Sequence, residues 1–337
     1  MTRTLPVIDV APLVAPRASG PAARAGEAEV AAAIRRACTE SGFFYVVGHG
    51  VSDALQARLE GEAARFFALD VAAKRRIRMA LAGPAWRGWF PVGDELTSGK
   101  PDVKEGLYFG EELSPSDPRV AAGLPLHGAN LFPDEVPGLR DAVLGYMAAL
   151  TDLGHALMRG VALSLGLPAD YFRAGMMASP LTLFRIFHYP ATEPVADDRW
   201  GVGEHTDYGV LTILKQDDVG GLQVRSGSTW IDAPPIDGSF VCNIGDMLDR
   251  LTRGAYRSTP HRVRNTSGRG RYSFPFFFDP GWDARVEPIE VSGADAAEDD
   301  RATRWDRASL HDFGGTYGEY VLGKVAKVFP ELGKNAM

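Results

Sequence analysis

The stretch GVGEHTDYGVLTIL, residues 201–214, sets an imidazole and a carboxylate two positions apart, at His205 and Asp207, ahead of a β-branched run. On a strand every second side chain points to one face, so the spacing predicts that the two point together. Such a pair can hold a metal ion, form a buried hydrogen-bonded pair, or carry no chemistry. A third ligand decides between these. His49 sits at a strand end, His155 in a long helical pattern, and His127 and His311 outside the strand-rich region, so all four read as structural histidines. His188 alternates against Arg185, Phe187 and Tyr189 and faces away if those three face inward. His261 is left, opening a predicted strand in STPHRVRN, 56 residues after His205.

Two imidazoles and one carboxylate leave up to three positions open on an octahedral metal, the facial arrangement of non-haem Fe(II) oxygenases. A zinc hydrolase is the rival reading, and it needs a general base at the metal. Glu204 is the adjacent candidate, but alternation turns it away from His205. Beyond His261 comes RGRYSFPFFFDP, residues 269–280, in which Arg271 and Ser273 share a strand face. An inward guanidinium requires an anion, because an unpaired buried charge is costly. A planar fork beside a hydroxyl suits a carboxylate, and an internal Arg–Asp pair is the alternative. Arg185, Phe187 and Tyr189 form a second inward row, in which Arg185 serves the co-substrate, the substrate or a structural carboxylate.

These residues need a framework to bring them together. The chain has 337 residues, 45% of them hydrophobic and 23% charged, enough for a substantial core. A net charge of −7 argues against a nucleic-acid or anionic-membrane partner held by bulk electrostatics. Two cysteines, Cys38 and Cys242, exclude a disulfide scaffold and suit a reducing cytoplasm. With no targeting segment and no apolar run of about 18 residues, a cytoplasmic protein is expected. Helices are predicted at 29–41, from Ser52 to about Ala68, at 71–80, over 138–167 and at roughly 303–328. Strands are predicted at 5–10, 42–50, 181–189, 210–214, 221–225, 239–244, 261–265 and 271–278, a pattern suggesting a sandwich or barrel. Residues 81–135 read as loop and short strand, able to close over a site as a lid.

GEHTDYGVLTIL, STPHRV and RYSFPFFFDP closely resemble the isopenicillin N synthase-like branch of the 2-oxoglutarate- and Fe(II)-dependent oxygenases. PVIDVAPL, SGFFYVVGHGV, KPDVKEGLYFG, FVCNIGDMLDRLTRGAYRSTPHRV and YGEYVLGKVAKVFPEL extend the resemblance along nearly the whole chain. The resemblance implies a mixed α and β protein with a distorted double-stranded β-helix, or jelly roll, and helices packed outside it. It implies an N-terminal α/β region over 1–135, a long supporting helix and connector over 136–180, the jelly-roll core over 181–285 and a C-terminal loop and helix over 286–337. It implies Fe(II) on His205, Asp207 and His261, and 2-oxoglutarate on Arg271 and Ser273 with help from Tyr189. Phe187 departs from plant-type members, which often have Asn there, and suggests a differently shaped pocket floor. Trp86, Trp89 and Phe90 lie in a loop where relatives often shape the substrate cavity, and a hydrophobic plug under that loop is the equal alternative. The activity implied is O2-dependent oxidation of a small-molecule C–H bond with release of succinate and CO2. Hydroxylation is the default, with desaturation or cyclisation as variants. Some members share the Arg-x-Ser pattern without using 2-oxoglutarate, so an oxidase of that type is the alternative.

Overall fold

The computed structural model describes residues 4–15, 20–97, 99–191, 200–291 and 314–328. Its strands are β1 (Val7–Asp9), β2 (Phe43–Val47), β3 (Gly88–Phe90), β4 (Leu96–Thr97), β5 (Lys100–Pro101), β6 (Glu105–Gly110) and β7 (Leu181–Tyr189). They continue with β8 (Val202–His205), β9 (Leu211–Gln216), β10 (Leu222–Ser226), β11 (Thr229–Asp232), β12 (Phe240–Ile244), β13 (His261–Val263) and β14 (Arg271–Asp279). The major sheet runs β1-β2-β12-β9-β14-β7-β6-β3 and the minor sheet β11-β10-β13-β8. Among the described strands only the β1–β2 pairing is parallel. The two sheets face each other across one cavity, which is the jelly-roll arrangement.

Period-2 alternation explains the inner strands. On β14, Arg271, Ser273, Pro275, Phe277 and Asp279 line the cavity, while Phe274, Phe276 and Phe278 are buried on the opposite face. On β7, Leu183, Arg185, Phe187 and Tyr189 line the same cavity, and Phe184 turns outward to meet Tyr146 at 5.3 Å. Tyr146 belongs to the helix Gly138–Ser164, whose apolar stripe runs through Leu139, Val143, Leu150, Leu157 and Val161. That helix lies close on the sheet because Gly154 meets Phe278, where an added Cβ would stand 2.7 Å from the ring.

Several boundaries differ from the sequence reading. Residues 81–135 are not a free lid, since β3 and β6 complete one edge of the major sheet. Gly and Glu in KEGLYFG hide β6, yet all six of its residues are buried. The helix predicted at 303–328 is described from Tyr317 to Val328, and residues 303–313 lie outside the described residues. Among the described residues, no helix is long and apolar enough to cross a membrane.

Candidate active site

His205 ends β8, and His261 opens β13 directly opposite it in antiparallel register. Their rings stand 4.2 Å apart between centroids. Asp207 lies just beyond the end of β8, two residues on from His205. Its Oδ1 is 3.8 Å from His205 Nε2 and 3.7 Å from His261 Nε2. One ligand atom from each of the three residues lies within 4.8 Å of the others, the spacing of a metal-binding group.

Each ligand is oriented by a partner behind it. His205 Nδ1 meets the Gly203 carbonyl at 2.8 Å, and His261 Nδ1 meets the Thr259 carbonyl at 3.2 Å. A carbonyl can only accept, so each Nδ1 carries the proton and each Nε2 presents a lone pair. Asp207 Oδ2 accepts from Thr212 Oγ1 at 2.5 Å and from Asn243 Nδ2 at 2.7 Å, which leaves Oδ1 toward the imidazoles. Thr212 and Asn243 are register partners on β9 and β12. The sequence reading missed both, and only their facing positions on neighbouring strands signal them.

Electrostatics favour the ligating forms. Burial, reinforced by the neighbouring His205, pushes His261 down to about 4. Burial likewise lowers His205, so both rings are neutral at neutral pH. Burial alone would raise the Asp207 carboxyl, but His261, His205 and its two hydrogen bonds outweigh it and hold it below the usual range.

Arg271 and Ser273 sit on β14 opposite Tyr189 and Phe187 of β7. The Arg271 guanidinium stacks 4.6 Å from the Tyr189 ring, and the Tyr189 and Ser273 hydroxyls are 3.4 Å apart. Arg271 is 0% exposed, and its Nε, Nη1 and Nη2 have no hydrogen-bond partner. Among the described residues the internal Arg–Asp pair is therefore absent, and the nearby Asp217 is instead engaged by the Tyr272 and Val219 amides. Glu204, the base a zinc hydrolase would need, is exposed and paired with Arg225 at 2.9 Å.

The triad and the clamp share one cavity of about 120 Å³. Arg185 and Phe187 also line it, together with Glu95, Leu96, Thr97 and Lys104 from the segment before β6. Trp86, Trp89 and Phe90 do not. They are 2–3% exposed core residues; Trp89 Nε1 donates to Glu105 at 2.9 Å, and Phe90 packs edge-on to Tyr108 at 5.4 Å. An aromatic run between prolines and glycines reads as a loop, whereas β3 places Trp89 and Phe90 in the sheet and Trp86 ends the short helical segment before it. His188 also points out of the cavity, to Glu105 at 2.9 Å.

Asp279 closes the far end of β14 and accepts from the Val210 amide at 2.9 Å, fixing the turn that follows Asp207. The turn passes so close that a Cβ on Gly209 would stand 1.6 Å from Asp279 Oδ1. Burial pushes Asp279 up to about 7. A carboxyl raised on folding binds its proton more tightly in the folded chain, so its contribution is fully present below about pH 4 and is lost as pH rises through about 7. Asp279→Asn keeps the acceptor and removes the titration. At pH 8 the ligand-free variant is expected to exceed the native chain in stability by on the order of 1 kcal/mol or more, with the gap narrowing by pH 5 and closing below about pH 4. Urea unfolding at the two pH values checks this, and an equal gap at both would remove the assignment.

Comparison with known proteins agrees with this geometry. Residues 5–135 match the model of the non-haem dioxygenase in morphine synthesis N-terminal family, and residues 181–280 that of the 2OG-Fe(II) oxygenase superfamily. The chain is 52% identical over 328 residues to a probable iron/ascorbate oxidoreductase of Dictyostelium discoideum, covering 90% of each. It is 36% identical over 338 residues to a homoarginine-6-hydroxylase of Glycine max, covering 98% of each. Among solved structures it is similar to a full-length Neurospora crassa protein crystallised with alpha-KG and thymine, with TM-score 0.79, 26% identity and 96% of each chain covered. The chain belongs to the 2OG-Fe(II) oxygenase superfamily and is an Fe(II)- and 2-oxoglutarate-dependent oxidoreductase acting on small molecules.

Proposed function

We propose that His205, Asp207 and His261 hold Fe(II), that Arg271, Ser273 and Tyr189 hold the far carboxylate of 2-oxoglutarate, and that a small molecule is hydroxylated between them. The observation that carries the clamp is the Arg271 guanidinium, fully buried with all three nitrogens unpartnered in the cavity that contains the triad. A fork of that kind matches a carboxylate in two parallel hydrogen bonds, with the Ser273 hydroxyl as a further donor. Fe(II) and 2-oxoglutarate, when bound, supply the O2-dependent oxidising chemistry.

The chain's own part is placement. His205 and His261 offer neutral nitrogens whose direction is set by backbone carbonyls. Asp207 offers one oxygen while Thr212 and Asn243 hold the other. Arg271 fixes the co-substrate's distance and angle, a positioning effect that lowers the entropic part of the barrier. Leu183, Phe187, Phe277 and Val321 form apolar walls that keep bulk water from the reacting face. The names of relatives point to small organic substrates, homoarginine for one, thymine bound in another and auxin for a third.

Adding 2-oxoglutarate to the Fe(II)-loaded protein without oxygen is expected to produce a weak visible charge-transfer band. Iron that is demonstrably bound beside a featureless spectrum would favour the oxidase type that does without 2-oxoglutarate.

A further inference from the structure

The cavity holds a second set of buried charges, none of them a member of the triad or the clamp. Glu95 and Arg185 both line it, with Glu95 Oε1 and Arg185 Nη1 3.5 Å apart, long for an ion pair. Glu95 Oε2 is met by Lys104 at 2.8 Å, and Glu95 Oε1 also accepts from the Tyr108 hydroxyl. Lys104 is shared with Asp102, which lies behind it and does not line the cavity. Arg185 has less support. Its Nε is buried with no hydrogen-bond partner, and its guanidinium is held between the rings of Tyr108 at 4.2 Å and Phe277 at 4.8 Å.

The set contains two acids, Glu95 and Asp102, and two bases, Lys104 and Arg185, so it is neutral as a whole. A ligand with net charge would unbalance it, and a wholly apolar ligand would leave the buried Arg185 Nε without an acceptor. A zwitterion avoids both costs. Its two charges must lie side by side, because Glu95 and Arg185 do. An ammonium and a carboxylate on one carbon meet that requirement.

We propose that the substrate is an α-amino acid, with its carboxylate on Arg185, its ammonium on Glu95 and its side chain directed along the cavity toward His205 and Asp207. The inference rests on the Fe(II)/2-oxoglutarate reading of the same site. Leu183, Phe187, Val202 and Val321 supply apolar wall for the carbon chain. Arg185 shares its strand with Tyr189, so the head-group site and the co-substrate site are held at a fixed separation along β7.

The test is succinate release by the iron-loaded full chain, with 2-oxoglutarate and a panel of free α-amino acids of differing side chains. At least one is expected to raise the rate about tenfold or more above the substrate-free rate. Its N-acetyl and carboxamide forms should each lose about 30-fold or more in kcat/KM, because a site built for a polar group rejects a ligand that lacks it. In Glu95→Gln the preference for the free amine over the N-acetyl form should fall about tenfold. In Arg185→Gln the preference for the free acid over the carboxamide should fall likewise. These ratios do not move when a variant merely folds less well. Three results would overturn the proposal: succinate release that persists without stimulation by any panel member, blocked forms that react as well as free ones, or unchanged preferences in the variants. Absence of both the charge-transfer band and succinate under every condition would instead remove the Fe(II)/2-oxoglutarate reading, and this proposal with it.

Discussion

Arg271→Leu is expected to raise the 2-oxoglutarate concentration needed for half-maximal turnover by about a hundredfold or more, while making the ligand-free protein harder to unfold. Each charge-assisted hydrogen bond contributes about 1.5–3 kcal/mol, and two parallel bonds give about 3–6 kcal/mol. Since about 1.4 kcal/mol is tenfold in affinity, a hundredfold loss is the lower bound. The opposite sign for the ligand-free chain follows from the same burial. Arg271 is 0% exposed and its nitrogens have no partner, so the empty clamp keeps a desolvated charge in place at a cost to stability. Leucine fills much of the space without that charge. Steady-state kinetics and thermal unfolding on the same preparation check both halves. Arg271→Lys keeps the charge but not the fork and should fall between. A Leu variant that is less stable without ligand and normal in its co-substrate requirement would make Arg271 a structural residue.

Asp207→Ala is expected to lower turnover by about a thousandfold or more and to erase the rise in unfolding temperature caused by Fe(II) under exclusion of oxygen. Asp207 contributes the one anion of the three-residue group, and its Oδ1 lies within 4 Å of both imidazole Nε2 atoms. Without it, two neutral rings remain to hold a doubly charged ion. Asn243→Ala should act through Asp207 and weaken metal binding by a smaller factor, about 10–100-fold, as loss of an orienting partner does. A full iron-dependent shift in Asp207→Ala would show that the metal binds elsewhere.

The sequence discloses these two groups unequally. Strands rich in β-branched and aromatic residues are legible: LTLFRIFHY is β7 over its whole length, and RYSFPFFFD differs from its predicted bounds by one residue. Alternation on those strands also places Arg185, Phe187, Tyr189, Arg271 and Ser273 on the cavity side. His205 and Asp207 do meet, with Asp207 two residues on and just past the end of β8. Glu95 lies in a stretch punctuated by Pro and Gly, where no period marks which side chains turn inward, and so its place in the cavity is invisible before folding. Trp89 and Phe90 show the converse: the same punctuation leaves a cavity wall and a hydrophobic plug both open, while tertiary pairing of β3 with β6 buries them in the core. Local pattern specifies a strand's faces, and only long-range pairing specifies what those faces meet.

The two imidazoles stand opposite each other across β8 and β13, yet 56 residues separate them along the chain. Closing so large a loop before any reward is slow, and high contact order places such pairings late in folding. A zinc finger, by contrast, draws its ligands from closely spaced positions and folds around its ion. An ion held by His205, Asp207 and His261 would bind between strands that the sheet pairing has already set opposite each other.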